Sequence, residues 1–130
     1  MDTDALNQAM PFGGRLGLEL VSAAPDEVEL RLAWAEDLCT SGGALHGGAI
    51  MSLADSGGGL CAFLNLPEDA KGTATIESKS NFFGAVRDGH VTATSRPLHK
   101  GKTTIVVETD VHDASGRHVA RVTQTQAVLR

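Results

Sequence analysis

Residues 47–64 read GGAIMSLADSGGGLCAFL and form the one long helical pattern in the chain. Ile50, Leu53, Ala54, Gly57, Cys61 and Leu64 recur at helical spacing on one face, with Ser52, Asp55, Ser56 and Gly59 on the opposite face. Pro67 closes the segment. Outside it the period changes. Leu16 to Val21 predicts a strand, and Val28, Leu30 and Leu32 alternate with Glu27, Glu29 and Arg31, the period-2 pattern of a half-buried strand. Ala24, Pro25 and Asp26 turn these two into a hairpin. After the helix, strands are predicted near 73–83, 90–98, 103–112 and 118–128, with turns at Asp88-Gly89, Lys100-Gly101 and Ser115-Gly116. Ile105, Val107, Thr109 and Val111 share one face of the third of these. Residues 3–10 predict a short helix ending before Pro11, within an N-terminal segment 1–12, and residues 36–48 read as irregular.

Strands, one helix, then a run of strands predict an α+β fold. A single apolar helix face needs a sheet to bury against, and an antiparallel meander can curl around it. Such a wrapped sheet leaves an edge and one end of the helix open to a partner subunit.

The 130 residues are one domain by length, and 42% apolar with 21% charged residues supports a packed core. A net charge of -5 lacks the basic excess of a nucleic-acid binder. No apolar run approaches the roughly 18 residues of a membrane span. Cys39, Cys61 and the histidines His90, His99, His112 and His118 show no metal-binding spacing, so no metal is expected. Without a signal-peptide pattern, the expected compartment is the cytoplasm.

His46-Gly47-Gly48 stands at the loop-to-helix junction. Backbone N–H groups at a helix N-terminus have no partner within the helix, and the dipole favours negative charge there. Glycines admit a ligand close to that backbone. Such amides suit the oxyanion of an acyl transfer, although three such residues alone read more readily as an ordinary turn into a helix. Asp55 lies eight residues after Gly47, about 12 Å along the axis at ~1.5 Å per residue. The two can meet on one carbonyl only across a two-fold axis, as isologous dimers allow; alone, Asp55 reads as a solvent-facing carboxylate. Three consecutive glycines, Gly57 to Gly59, each cost about 1 kcal/mol relative to alanine in a helix. Gly57 and Gly58 read as close packing. Gly59, one turn beyond Asp55, reads either as packing or as room for an acyl group.

Residues 46–55, from His-Gly-Gly to Leu-Ala-Asp, resemble the signature of the hotdog-fold acyl-CoA thioesterases, particularly the PaaI type of the phenylacetate pathway. The likeness extends through the order of elements over about residues 12–128. It implies a hotdog fold and hydrolysis of acyl-CoA without a bound cofactor, by a homodimer with shared sites that pairs into a tetramer. It implies that the Gly47 amide polarises the thioester with His46 beside it. Asp55 would be general base or nucleophile, and Thr75 would help hold the water or the carboxylate. Six residues before the histidine the family usually carries Asn or Gln, and this chain has Thr40, a shorter hydrogen-bonding reach. Gly48, Gly59, Phe82 and Phe83 are candidate substrate contacts, the phenylalanines as acyl pocket or as core. Arg96, Lys100 and Lys102, with Arg87, are the candidate cations for coenzyme A phosphates. The rival readings are a non-catalytic acyl-CoA binding or sensing protein on the same fold, a hydratase of that fold, whose motif is absent, and a plain interaction domain.

Overall fold

The computed structural model describes residues 1–130. Two short helices, α1 (Thr3–Ala9) and α2 (Pro11–Leu16), precede the hairpin β1 (Glu19–Ala24) and β2 (Glu27–Ala33). Two single 3-10 turns, Glu36–Leu38 and Ser41–Gly43, lead into α3 (Gly47–Leu64). Strands β3 (Gly72–Phe82), β4 (His90–Lys100), β5 (Thr104–Asp113) and β6 (His118–Leu129) follow. All six strands form one antiparallel sheet in the order β1-β2-β4-β5-β6-β3, curled around α3. This is the wrapped sheet expected from the order of elements, and the hotdog architecture that the resemblance implies.

The departure lies at the N-terminus. The strand expected at Leu16–Val21 begins at Glu19, because Pro11 opens a second helix rather than merely ending the first. Proline suits the first helical position, where its missing N–H has no helical partner. Gly17 then ends α2 in the left-handed conformation at φ 77°, its N–H donating to the carbonyls of Gly13 and Gly14.

Ile50, Leu53, Ala54, Gly57 and Cys61 are buried against the sheet as the helical period predicts, while Leu64 emerges at the helix end. Ser56, expected on the open side, is also buried, since the curled sheet covers more than the apolar stripe. From β5, Ile105, Val107, Thr109 and Val111 all point inward and are fully buried. Burial of each aliphatic side chain stabilises the fold by about 1.5–3 kcal/mol. The close approach of helix to sheet requires the first two glycines. A Cβ on Gly57 would stand 2.9 Å from Ser95 Oγ, and one on Gly58 only 2.0 Å from Gln124 Nε2.

Strand β3 pairs with β6 along one side only, and most of its side chains are exposed, Ile76 at 63%. A long unpaired edge is a template for a further strand. It runs beside the flank of α3 that carries Asp55, where Ser78 of the strand and Ser52 and Asp55 of the helix line one cleft.

Candidate active site

The loop before α3 is pinned by backbone bonds. Cys39 and Leu45 form an antiparallel bridge, Leu45 N–H donates to Val86 O at 2.8 Å, and His46 N–H donates to Leu38 O at 2.9 Å. This places His46 as the N-cap of α3 at φ −61°, ψ 136°, where its Nδ1 accepts from Gly48 N–H at 2.8 Å. With Nδ1 accepting, the ring N–H is on Nε2. Gly48 is required for that cap, because a Cβ there would sit 2.9 Å from Nδ1. The Gly48 amide is therefore occupied, whereas the Gly47 N–H has no acceptor within the chain. Of the two glycines, Gly47 alone offers a free donor. The ring of Phe82 lies over it, close enough that a Gly47 Cβ would be 3.3 Å from Cζ.

Asp55 sits two turns along the same flank. Its carboxylate lines a cleft of about 300 Å³ with Phe12, Gly48, Met51, Ser52 and Ser78. A neighbouring cleft of about 240 Å³ contains His46, Leu38 and Cys39 and shares Phe12, Gly48 and Ser52, so one trough runs from His46 to Asp55. Asp55 makes no ion pair, and its partial burial pushes the carboxyl above the ordinary carboxylate range. That is the direction that suits a general base. Ser78, Met51, Ser52 and Phe12 were not singled out from the sequence. Ser78 stands in a strand whose facing toward α3 depends on a bulge between Thr75 and Glu77 that composition does not reveal.

The other expected residues divide. Thr75 lies on exposed β3 and accepts a hydrogen bond from Gln126 Nε2 at 2.7 Å. Gly59 has open space at its Cβ position and borders an apolar cleft of about 350 Å³ with Leu6, Met10, Leu60, Phe63 and Thr73. Thr40 is exposed, its side chain unbonded, and lines neither part of the trough. Phe83 turns away from the helix and packs its ring on His118 at 5.1 Å. Arg96 is engaged by Glu27 at 2.6 Å. Lys100 lies toward the far end of α3, where its charge opposes the burial and the Asp26 charge that together push the Cys61 thiol up to about 11. Lys102 follows it in the exposed turn between β4 and β5. Nearer the helix N-terminus, Arg87 and Arg117 line a polar depression of about 520 Å³ beside Val86. Arg117 is held there by Asp113 at 3.2 Å.

A trough that runs from His46 and Gly48 to an unpaired carboxylate, with the free Gly47 amide next to its first residues, can be set beside known proteins. A family model described as Thioesterase superfamily matches residues 42–120. A provisionally named esterase of Saccharolobus solfataricus is 34% identical over 115 residues, 88% of this chain and 81% of that protein. The 1,4-dihydroxy-2-naphthoyl-CoA hydrolase of Escherichia coli is 32% identical over 87 residues, 67% of this chain and 63% of that protein. The crystal structure of a thioesterase from Haemophilus influenzae superposes with a TM-score of 0.91 at 26% identity, covering 100% of this chain and 92% of the other. The PaaI protein of the Escherichia coli phenylacetic acid degradation operon shares the fold, with a TM-score of 0.88 at 18% identity over 99% of this chain and 91% of its own.

Proposed function

The chain belongs to the thioesterase superfamily, and we propose that it hydrolyses acyl-CoA thioesters to a free carboxylic acid and coenzyme A. One observation carries this reading. An open trough beside an unpaired sheet edge runs from His46 and Gly48 to the unpaired Asp55, and the only free amide of the turn, at Gly47, lies between those first two residues in the chain. Gly47 and Asp55 are about 12 Å apart along one helix at ~1.5 Å per residue, too far to act on one carbonyl. A second copy bound two-fold at the β3 edge sets the Gly47 of one protomer against the Asp55 of the other.

In that arrangement the thioester oxygen accepts from Gly47 N–H, at the positive end of the α3 dipole. Asp55 takes a proton from water as the water oxygen adds to the carbonyl carbon. The tetrahedral intermediate collapses, the C–S bond breaks, and the thiolate of coenzyme A leaves. Attack by the carboxylate itself gives an anhydride that water then opens, with the same products. His46, next to Gly47 in the chain, orients the thioester or the loop. Gly48 serves by fixing His46, and Thr75 helps hold the water or the carboxylate. The Gly59 cleft and the Phe82 ring would take the acyl group. The relative that acts on a naphthoyl-CoA supports a coenzyme A thioester as substrate class. Lys100 and Lys102 are free of ion pairs and, with Arg87, are the candidates for the phosphates of coenzyme A. A thiolate is a good leaving group, so the reaction asks for no further cofactor. A dimer that pairs into a tetramer and a cytoplasmic setting belong to the same proposal; both cysteines are free thiols, and no helix is long and apolar enough to cross a membrane.

Subunit mixing tests the shared site. Asp55→Ala and Gly47→Pro chains, each inactive alone, are refolded together. Each mixed dimer then holds one intact site, and about a quarter of wild-type activity is expected from statistical mixing. Verified mixed dimers without activity would place the whole site within one chain.

A further inference from the structure

Two glutamines occupy positions in the core where apolar side chains would ordinarily stand. Gln124 and Gln126, on the inner face of β6, are 0% and 2% exposed. Buried amides oppose folding unless they are hydrogen-bonded, so their partners are informative. Gln124 Nε2 donates to the carbonyl of Ala54 at 3.3 Å. Gln126 Nε2 donates both to Gln124 Oε1 and to Thr75 Oγ1, the latter at 2.7 Å.

The direction of every donor follows from one fixed end. The Ala54 carbonyl can only accept, so Gln124 turns its NH2 toward it and its oxygen toward Gln126. Gln126 must then present its NH2, and its second N–H reaches Thr75. Since the Thr75 oxygen accepts from within, its own proton points away from the core. The helix is cut away to admit the arrangement, because a Cβ on Gly58 would lie 2.6 Å from Gln124 Cδ as well as colliding with Nε2. At the other end, the register of β3 against β6 shifts between Thr75 and Glu77, and such bulges re-aim side chains. The Ala54 carbonyl belongs to the peptide that carries the Asp55 nitrogen.

We propose that Gln124 and Gln126 are positioning residues of the thioesterase site, holding the α3 turn that bears Asp55 and presenting the Thr75 hydroxyl as an outward donor at the free edge. This rests on the functional reading of Asp55 and Thr75. Replacement of both glutamines by apolar residues would pack as well, but would leave Thr75 free to rotate its proton inward or along the strand.

The test is a double-mutant cycle on the best coenzyme A thioester: wild type, Thr75→Val, Gln126→Leu and the double variant, with thermal melting of each. Thr75 is exposed, so its valine variant folds. Each single change is expected to lower kcat about tenfold with KM within about twofold, and the double variant to fall no lower than the worse single. Additive losses, or an unchanged kcat in Thr75→Val, would overturn the proposal. If Gln126→Leu does not fold, Gln126→Met decides, because the unbranched thioether keeps the length of the glutamine and removes its donor to Thr75. Its kcat should drop as in Thr75→Val, and wild-type kcat would overturn the relay. A wild-type protein inert on every coenzyme A thioester overturns the functional reading and the relay together; an active one with additive losses overturns the relay alone.

Discussion

Asp55→Asn is expected to lower kcat by about 10²–10⁴-fold, the range that a positioned general base contributes, and by more if the carboxylate is the nucleophile. KM should change little, because in the proposed arrangement Asp55 acts at the reacting carbon rather than at the nucleotide. Asparagine has the same shape and stands on the open flank of α3, so the variant should fold. Burial raises the folded-state pKa of Asp55 above its unfolded value, so the stability this group contributes is present at low pH and lost as pH rises through the folded pKa. Asparagine removes that loss, and the variant's melting temperature at neutral pH should equal or slightly exceed wild type. The same shift fixes the pH dependence of the wild type. The reaction needs the ionised carboxylate, so kcat/KM should fall as the pH drops through the Asp55 pKa, with a midpoint above the ordinary value of an aspartate. An Asp55→Asn protein with wild-type turnover removes Asp55 from the chemistry.

Gly47→Pro is the second large effect. It deletes one N–H and, on the present geometry, little else. Proline fits the first position of a helix. The residue before a proline must be extended, and His46 already is, at φ −61° and ψ 136°. A Cβ there comes to 3.3 Å from Phe82 Cζ, a contact that a small shift of the exposed Phe82 ring relieves. With the donor gone, kcat is expected to fall about 10²–10³-fold, the loss seen when one oxyanion-hole donor is removed. The His46 cap, which uses the Gly48 amide, should survive, and the helix signal in circular dichroism should be unchanged. A folded Gly47→Pro protein with undiminished kcat refutes the oxyanion role of this amide.

Much of this was legible in the sequence because it is periodic. Strands β2, β4, β5 and β6 alternate over most of their length, α3 carries a 3.6-residue stripe, and the turns hold Gly89 and Gly116 at the positive φ angles that Asp-Gly and Ser-Gly promise. The extra helix at Pro11–Leu16 was missed because proline and paired glycines mark both ends and beginnings. The identities of His46, Gly47 and Asp55 were legible as a motif. The division of labour within it was not, since only the three-dimensional cap shows that Gly48 is occupied and Gly47 is free. Long-range partners were equally hidden. Nothing local to Arg96 announces Glu27, 69 residues away, or moves Phe83 onto His118 and away from the trough. The glutamine pair of β6 reads in the sequence as two polar residues in a strand; its burial appears only when α3 is laid over it.

The central claim is hydrolysis of a coenzyme A thioester, and release of free thiol from a panel of acyl-CoAs tests it most directly. The panel runs from acetyl to palmitoyl and includes phenylacetyl and benzoyl. The account predicts catalytic turnover on at least one member, lost in Asp55→Asn, with the preferred member naming the acyl class that the Gly59 cleft accepts. Binding of these compounds with no thiol released from any of them would contradict it, and would make the protein a non-catalytic acyl-CoA binder on a thioesterase fold.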